Sequence, residues 1–120
     1  MPYQIKNRRQ LGSVMEQAAA SFLEKRGYRI LEKNYRCRFG EIDLIAYDPA
    51  GSALCFIEVK YRSGSRYGDP SEAVTLKKQR TIRCCAKVYL AFHQEYAGCS
   101  VRFDVVSILG PSARIIKNAF

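Results

Sequence analysis

The sequence has no apolar run as long as a membrane-spanning helix, and its first ten residues are mostly polar and basic. A spanning helix needs about 20 consecutive apolar residues, and a secretory signal needs a charged segment followed by an apolar one. We therefore expect a cytoplasmic protein that does not enter the membrane. The sequence also has no internal repeat or low-complexity tract, and a chain of 120 residues is typical of one domain, here residues 1–120.

The number and spacing of the cysteines do not favour a disulfide framework or a zinc site, and the sequence has only one histidine. The five cysteines are odd in number, and no two of them have C-x-x-C spacing. Disulfide frameworks need paired cysteines, and zinc sites use closely spaced pairs of ligands. We therefore expect reduced thiols, and we expect the single histidine, His93, to be structural.

Acidic residues are outnumbered, with 11 Asp and Glu against 20 Lys and Arg and a net charge of +9. A basic surface attracts polyanions, and contacts to phosphates supply most of the sequence-independent affinity for nucleic acid. The basic clusters suggest five candidate nucleic-acid contacts, namely Arg36, Arg38, Arg62, Arg66 and Lys77. Charge alone does not separate DNA from RNA, and basic residues that serve only solubility are an open alternative.

Some of the few acids stand inside apolar segments. Glu41 and Asp43 lie in the run Gly40–Ala46, and Glu58 lies in Phe56–Tyr61 beside Lys60. An ionised carboxylate among apolar residues costs several kcal/mol unless it is paired or binds a metal. These acids therefore indicate a functional site that contains paired or metal-binding carboxylates.

The strand period of two predicts how these side chains are arranged. Glu41 and Asp43 should share one face, with Ile42, Leu44 and Ala46 on the other, while Glu58 and Lys60 share a face of their own strand. The segment Asp48-Pro49-Ala50-Gly51 is typical of a hairpin turn. Pairing Tyr47 with Leu54 would place Asp43 opposite Glu58.

Clustered carboxylates of this kind predict a Mg²⁺ or Mn²⁺ site, because hard divalent cations prefer oxygen ligands. Asp43 and Glu58 are the expected metal ligands, and Glu41 is a less certain, outer ligand. Lys60 would position a water or offset charge on a phosphorus atom during phosphodiester hydrolysis. A salt bridge between Lys60 and an acid across the sheet is the structural alternative.

The remaining pattern predicts an α/β protein with a central mixed β-sheet flanked by helices, in the order α-β-β-β-α-β. The first helix follows a capping Asn7 and ends at Gly27, and the second runs from Ser71 or Thr75 to Tyr96. Residues 113–120 could add an edge strand.

A further pattern extends over nearly the whole chain. Its residues are Gly12, Glu16, Gly27-Tyr28, Asn34, Arg36, Gly40–Ala46, Phe56–Lys60, Arg62, Gly68, Ala73-Val74, Lys77, Tyr89-Leu90, Arg102–Val106 and Asn118-Ala119-Phe120. In these residues the sequence closely resembles the bacterial YraN family, usually described as predicted endonucleases. That family is similar to archaeal Holliday-junction resolvases and, more distantly, to the restriction-endonuclease-like PD-(D/E)xK superfamily.

The resemblance implies a restriction-endonuclease-like fold and a catalytic set made of Glu16, Asp43, Glu58 and Lys60. It also places a strand over 101–109, which should run parallel to the strand at 54–61 because a helix connects them. Ile42 stands where the superfamily motif has proline. The implied activity is metal-dependent cleavage of DNA, including branched DNA, by a protein that could act as a homodimer. A module that binds nucleic acid without cutting it is the alternative, since a fold does not establish an activity.

Overall fold

The computed structural model describes residues 8–62 and 74–120. Two helices and five strands follow one another in the order α-β-β-β-α-β-β, as predicted, with the additional strand at the carboxyl end. Their bounds are α1 Arg8–Glu24, β1 Arg29–Cys37, β2 Gly40–Asp48, β3 Ala53–Arg62, α2 Leu76–Phe92, β4 Ser100–Leu109 and β5 Ser112–Ile116. No helix in these ranges is long and apolar enough to cross a membrane.

The five strands form one mixed sheet with the spatial order β1-β2-β3-β4-β5. Strands β3 and β4 are parallel, as expected for a connection that passes through α2, and the other three neighbouring pairs are antiparallel. The sheet is therefore mixed, and its central strand, β3, carries Glu58 and Lys60.

Each helix covers one face of the sheet and closes a hydrophobic cluster there. Ala19, Ala20 and Leu23 of α1 pack on Ala46 and Ile57. Ile82, Cys85, Ala86 and Tyr89 of α2 pack on the other face, which includes Leu54 and Phe56. Because β3 is covered on both faces, its residues from Ala53 to Val59 are all buried. Any polar side chain in that stretch lies in a largely dry environment.

The helix ends agree with the sequence. At the end of α1, Gly27 has a φ of 89°, and the amides of Gly27 and Tyr28 donate to the carbonyls of Glu24 and Leu23. This is a Schellman ending, which favours glycine at the residue with positive φ. Helix α2 begins after Thr75, whose hydroxyl accepts a hydrogen bond from the amide of Lys78. The other predicted start residues, Asn7 and Ser71, lie outside the described residues.

The predicted end of the second helix is wrong. Helix α2 ends at Phe92, and a separate 3₁₀ turn, Gln94–Tyr96, follows it. The His93 ring lies flat on the Tyr89 ring at 3.8 Å, and its Nδ1 is 2.9 Å from the Tyr89 carbonyl. His93 therefore has the structural role expected of it, because it terminates the helix.

The predicted hairpin register is confirmed. Tyr47 pairs with Leu54, and the ladder continues to Leu44 opposite Ile57. The next residues along each strand are Asp43 and Glu58, so the hairpin carries both acids to the same part of the sheet.

The predicted alternation of β2 is wrong at one residue. Leu44 and Ala46 belong to the cluster under α1, whereas Ile42 belongs to the cluster under α2. Strand β1 has a positive φ of 52° at Asn34, which lies between the residues paired with Ile42 and Leu44. The period of two is broken between Ile42 and Leu44, and Asp43 is located at the break.

A buried ionic network lies at the hairpin end of the sheet and connects β2 with β4. The Arg102 guanidinium donates to Asp104 at 2.9 Å, to Asp48 at 3.0 Å and to the Tyr28 hydroxyl at 2.9 Å. Asp104 is completely buried and also accepts the amide of Asn118 at 2.9 Å. Asp104 therefore has both a cation, Arg102, and a backbone amide as partners for its buried charge.

Candidate metal and nucleic-acid site

A cleft of about 550 Å³ opens where the first half of α1 passes over β2 and β3. Its lining includes Glu16, Asp43, Lys60 and Arg62. Three of the four predicted catalytic residues thus line one cleft, and the fourth, Glu58, lies beside them on β3.

Asp43 lies at the centre of this group. Its Oδ2 accepts a hydrogen bond from the backbone amide of Val59 at 2.8 Å. The carboxylate therefore serves as an acceptor for β3 where the regular pairing of the two strands has ended. This bond fixes one oxygen of Asp43 and holds the side chain between the two strands.

Glu58 is buried, with only 5% of its surface exposed. Its Oε2 lies 3.5 Å from Lys60 Nζ on the same strand and 3.9 Å from Lys78 Nζ on α2. Its Oε1 is buried and has no hydrogen-bond partner among the described residues. A buried carboxylate oxygen without a partner is costly, so Glu58 has an unused acceptor at this site.

The charge of Asp43 opposes the ionisation of its two acidic neighbours, Glu16 and Glu58. Burial raises the pKa of Glu58 to about 7, and the negative charge of Asp43 adds to this effect against the opposing charges of Lys78 and Lys60. Burial also raises the pKa of Glu16 to about 7, again with Asp43 as the next cause. Near neutral pH, Glu16 and Glu58 therefore tend to hold protons, and a bound cation would relieve the same repulsion.

Glu41 lies at the margin of the group. It lines a second cleft of about 500 Å³ that also contains Glu16 and Asn34. Its carboxylate pairs with Arg36 at 3.2 Å, and 39% of its side-chain surface is exposed. Glu41 thus has a partner of its own, which agrees with a peripheral position rather than a central one.

Two of the five predicted nucleic-acid contacts, Arg36 and Arg62, line these clefts. Arg36, Arg38, Arg62 and Lys77 are all exposed. Arg62 lines the cleft that contains Asp43, and Arg36 lines the one that contains Glu41. Arg66 lies outside the described residues.

Two residues of the site were missed. Lys78 on α2 reaches Glu58, whereas the adjacent Lys77 was predicted only as a nucleic-acid contact. Asn34 forms a hydrogen bond with Glu16 that lowers the pKa of this acid against the larger effect of burial. In the sequence, Asn34 appeared only as one residue of the family pattern. Lys77 and Lys78 are adjacent at the start of a helix, and the sequence does not indicate which of them faces the sheet.

The donor set suits a hard divalent cation bound through few protein ligands. Within residues 8–62 and 74–120, no three His, Cys, Asp or Glu side chains form a ready-made metal-binding group. Mg²⁺ commonly needs only one or two carboxylates, because waters and substrate phosphates complete its shell. Asp43 has one oxygen outside its bond to Val59, and Glu58 has an unpartnered Oε1. These two carboxylates fit such an ion.

Comparison with known proteins places the chain in a family. A family model described as "Uncharacterised protein family UPF0102" matches residues 15–108. A UPF0102 protein of Symbiobacterium thermophilum is 52% identical over 118 residues, covering 93% of this chain and 97% of the relative. Others, from Lachnoclostridium phytofermentans and Caldicellulosiruptor saccharolyticus, are 46% identical over 114 residues and 42% identical over 120 residues. The first covers 95% of each chain, and the second covers 95% of this chain and 99% of the relative. The chain therefore belongs to the UPF0102 family.

Proposed function

We propose that this protein is a Mg²⁺- or Mn²⁺-dependent endonuclease that hydrolyses phosphodiester bonds in DNA. The observation that carries the proposal is the group of Glu16, Asp43 and Glu58, two of which have a pKa of about 7 next to the third. A cluster of acids that resists ionisation, open to a cleft on a protein of net charge +9, is better explained by a bound cation and a phosphate than by packing.

Asp43 and Glu58 would hold the ion. Such an ion polarises a phosphoryl oxygen and lowers the pKa of a bound water. The amide of Val59 fixes the Asp43 carboxylate, so that this ligand is already oriented before an ion arrives. Glu58 offers its unpartnered Oε1.

The other side chains would serve the substrate. Lys60 Nζ, 3.5 Å from Glu58 Oε2, places a positive charge where negative charge develops on the phosphate. Arg62 lies in the same cleft and is exposed, so it can contact a neighbouring phosphate of the strand. Glu16, across the cleft on α1, can accept or donate a proton near neutral pH because burial raises its pKa to about 7.

The choice of DNA, and of branched DNA in particular, rests on the resemblance to YraN proteins and archaeal junction resolvases. Glu16, Asp43, Glu58 and Lys60 are the residues that match the superfamily motif, and all of them lie in or beside one cleft. Resolvases of this kind usually act as dimers. A homodimer of this chain is part of the proposal.

The test combines metal binding with cleavage. Mn²⁺ and Mg²⁺ are titrated calorimetrically into the wild-type protein and into Asp43→Asn, and both proteins are then assayed on linear, flapped and four-way DNA. We expect metal binding and metal-dependent cleavage in the wild type. Asp43→Asn should lose both while it still binds DNA. Glu95→Gln, an exposed acid beyond the far end of α2, is the matched control and should behave as the wild type does.

A nucleic-acid-binding module without cleavage is the second candidate. Two lysines already lie within 4 Å of Glu58, and the described residues contain no ready-made group of three ligands. DNA binding that weakens with salt, together with no metal binding and no cleavage by the wild type on any substrate, would refute the nuclease and support this module.

A further inference from the structure

Two cysteines from distant parts of the chain meet between β1 and α2. Cys37 is the last residue of β1, and Cys85 is in the middle of α2. Their sulfur atoms are 2.8 Å apart. A disulfide needs about 2.0 Å between its sulfur atoms, so a shift of less than 1 Å would bring the pair into bonding range. None of the five cysteines is in a disulfide.

The packing between β1 and α2 brings these cysteines together. The ring of Tyr35, two residues before Cys37, packs edge-on against Tyr89, one helical turn after Cys85, with 5.2 Å between the ring centroids. One turn before Cys85, the methyl group of Thr81 lies so close to Gly40 that a Cβ there would come within 2.5 Å of it. Contacts on both sides of the cysteine pair therefore hold it in place.

The two thiols differ in accessibility. Cys85 is completely buried. Cys37 is partly exposed and lines a shallow surface pocket of about 450 Å³ with Arg36, Gly40 and Glu41. A small oxidant can therefore reach Cys37 from solvent, whereas Cys85 is not exposed to it.

The surroundings of the two sulfur atoms also differ. Burial would raise the pKa of Cys37, but hydrogen bonds from Cys85 and from the amides of Phe39 and Gly40, together with the charge of Arg38, outweigh it and lower the pKa. Burial raises the pKa of Cys85 to about 12, and its bond to Cys37 adds to this. Reactive thiols are those that ionise readily and are accessible, which describes Cys37 and not Cys85.

We propose that Cys37 and Cys85 are an oxidation site, in which Cys37 reacts with a hydroperoxide and Cys85 then closes a disulfide between β1 and α2. This inference is independent of the proposed nuclease activity. An exposed attacking cysteine next to a buried resolving cysteine is the arrangement found in thiol redox sensors.

The chemistry balances in two steps. The Cys37 thiolate attacks one oxygen of hydrogen peroxide, the O–O bond breaks, and the departing hydroxide takes up a proton, which leaves a sulfenic acid and one water. The Cys85 sulfur then attacks the Cys37 sulfur, the S–O bond breaks, and hydroxide leaves with the thiol proton as a second water. In total, two thiols are oxidised by two electrons and one peroxide is reduced.

Peptide mapping of the full-length protein after mild hydrogen peroxide treatment tests the proposal. Trypsin releases Cys37 in the peptide Cys37-Arg38 and Cys85 in Cys84–Lys87, so a disulfide appears as a linked pair of these peptides. We expect this linked pair, lighter by two hydrogen atoms than the free peptides, and the loss of two of the five thiols. Wild-type protein that keeps Cys37 as a thiol, or carries it only as sulfinic or sulfonic acid, would overturn the proposal.

Two variants identify the sulfur atoms involved, and a third tests the contact at Gly40. Cys84→Ser is the matched control on the adjacent residue and should still form the disulfide between the two peptides. Cys85→Ser should not form it. The opposite result would refute the assignment.

Gly40→Ala should slow disulfide formation, because its φ of 145° and its contact with Thr81 disfavour a Cβ. An unchanged rate in Gly40→Ala, with circular dichroism matching the wild type, would contradict the role given to this contact.

Discussion

The substitution Glu58→Gln should make the metal-free protein more stable at high pH. Burial, followed by the charge of Asp43, raises the pKa of Glu58 from 4.5 to about 7. Between these values the folded protein holds a proton that the unfolded chain releases, so stability falls as the pH rises through this window. A difference of one pH unit in pKa corresponds to about 1.4 kcal/mol, so the ionised Glu58 destabilises the fold by about 3 kcal/mol above pH 7.

Urea unfolding of metal-free protein from about pH 5 to about pH 8.5 measures this effect. The wild type should lose stability across this range, while Glu58→Gln, which carries no charge there, should lose less. The two proteins should be nearly equal at about pH 5, and the variant should be the more stable by about 3 kcal/mol at about pH 8.5. Glu95→Gln changes an exposed acid and should follow the wild type.

Added Mg²⁺ extends the same experiment to the proposed metal site. An ion that binds only the folded state stabilises it by mass action. Magnesium should therefore raise the urea midpoint of the wild type at about pH 8.5 and leave that of Glu58→Gln nearly unchanged. If Glu58→Gln were instead less stable than the wild type at about pH 8.5, the carboxylate would be stabilising the fold as a salt bridge, and the reasoning from burial would be refuted.

Three other substitutions test separate parts of the structure. Arg102→Met leaves two buried carboxylates without their partner and should cost about 3–5 kcal/mol of unfolding free energy in urea, whereas a loss below about 1 kcal/mol would contradict the network. Gly27→Ala, at a φ of 89°, should lower the free energy of unfolding by about 1 kcal/mol. Gly98→Ala is its control, because a Cβ at Gly98 would meet nothing within 4 Å. Equal effects of the two substitutions would contradict the Schellman ending. Arg62→Ala should weaken DNA binding and reduce the slope of log affinity against log salt by about one. Lys25→Ala, past the far end of α1, is the control and should leave that slope unchanged. Equal slopes in the two variants would show that Arg62 does not contact DNA.

Much of the sheet could be predicted because its determinants are local. The turn after Asp48 and the alternating apolar residues set the pairing of Tyr47 with Leu54, and this register alone carries Asp43 toward Glu58. The partner of Asp104 was also accessible to reasoning, because a buried acid requires a cation and Arg102 is two residues away.

Other features depend on contacts between elements that no local pattern contains. Ile42 packs under α2 although Leu44 and Ala46 pack under α1, and a strict period of two cannot anticipate such a break within a strand. The meeting of Cys37 with Cys85 depends on how close β1 and α2 approach. The cysteine count predicted reduced thiols, and all five are free, but it could not show that two of them are neighbours.

The Arg102 network has a consequence for how this protein can diverge. It satisfies the buried charges at the hairpin end of the sheet, while the mutually repelling acids lie farther along β2 and β3. The residues that stabilise the fold by pairing buried charges are therefore different from the cleft acids that repel one another. A descendant of this chain could therefore lose its cleft acids and keep the fold, even gaining stability, because the residues that hold the buried charges at the hairpin end would remain.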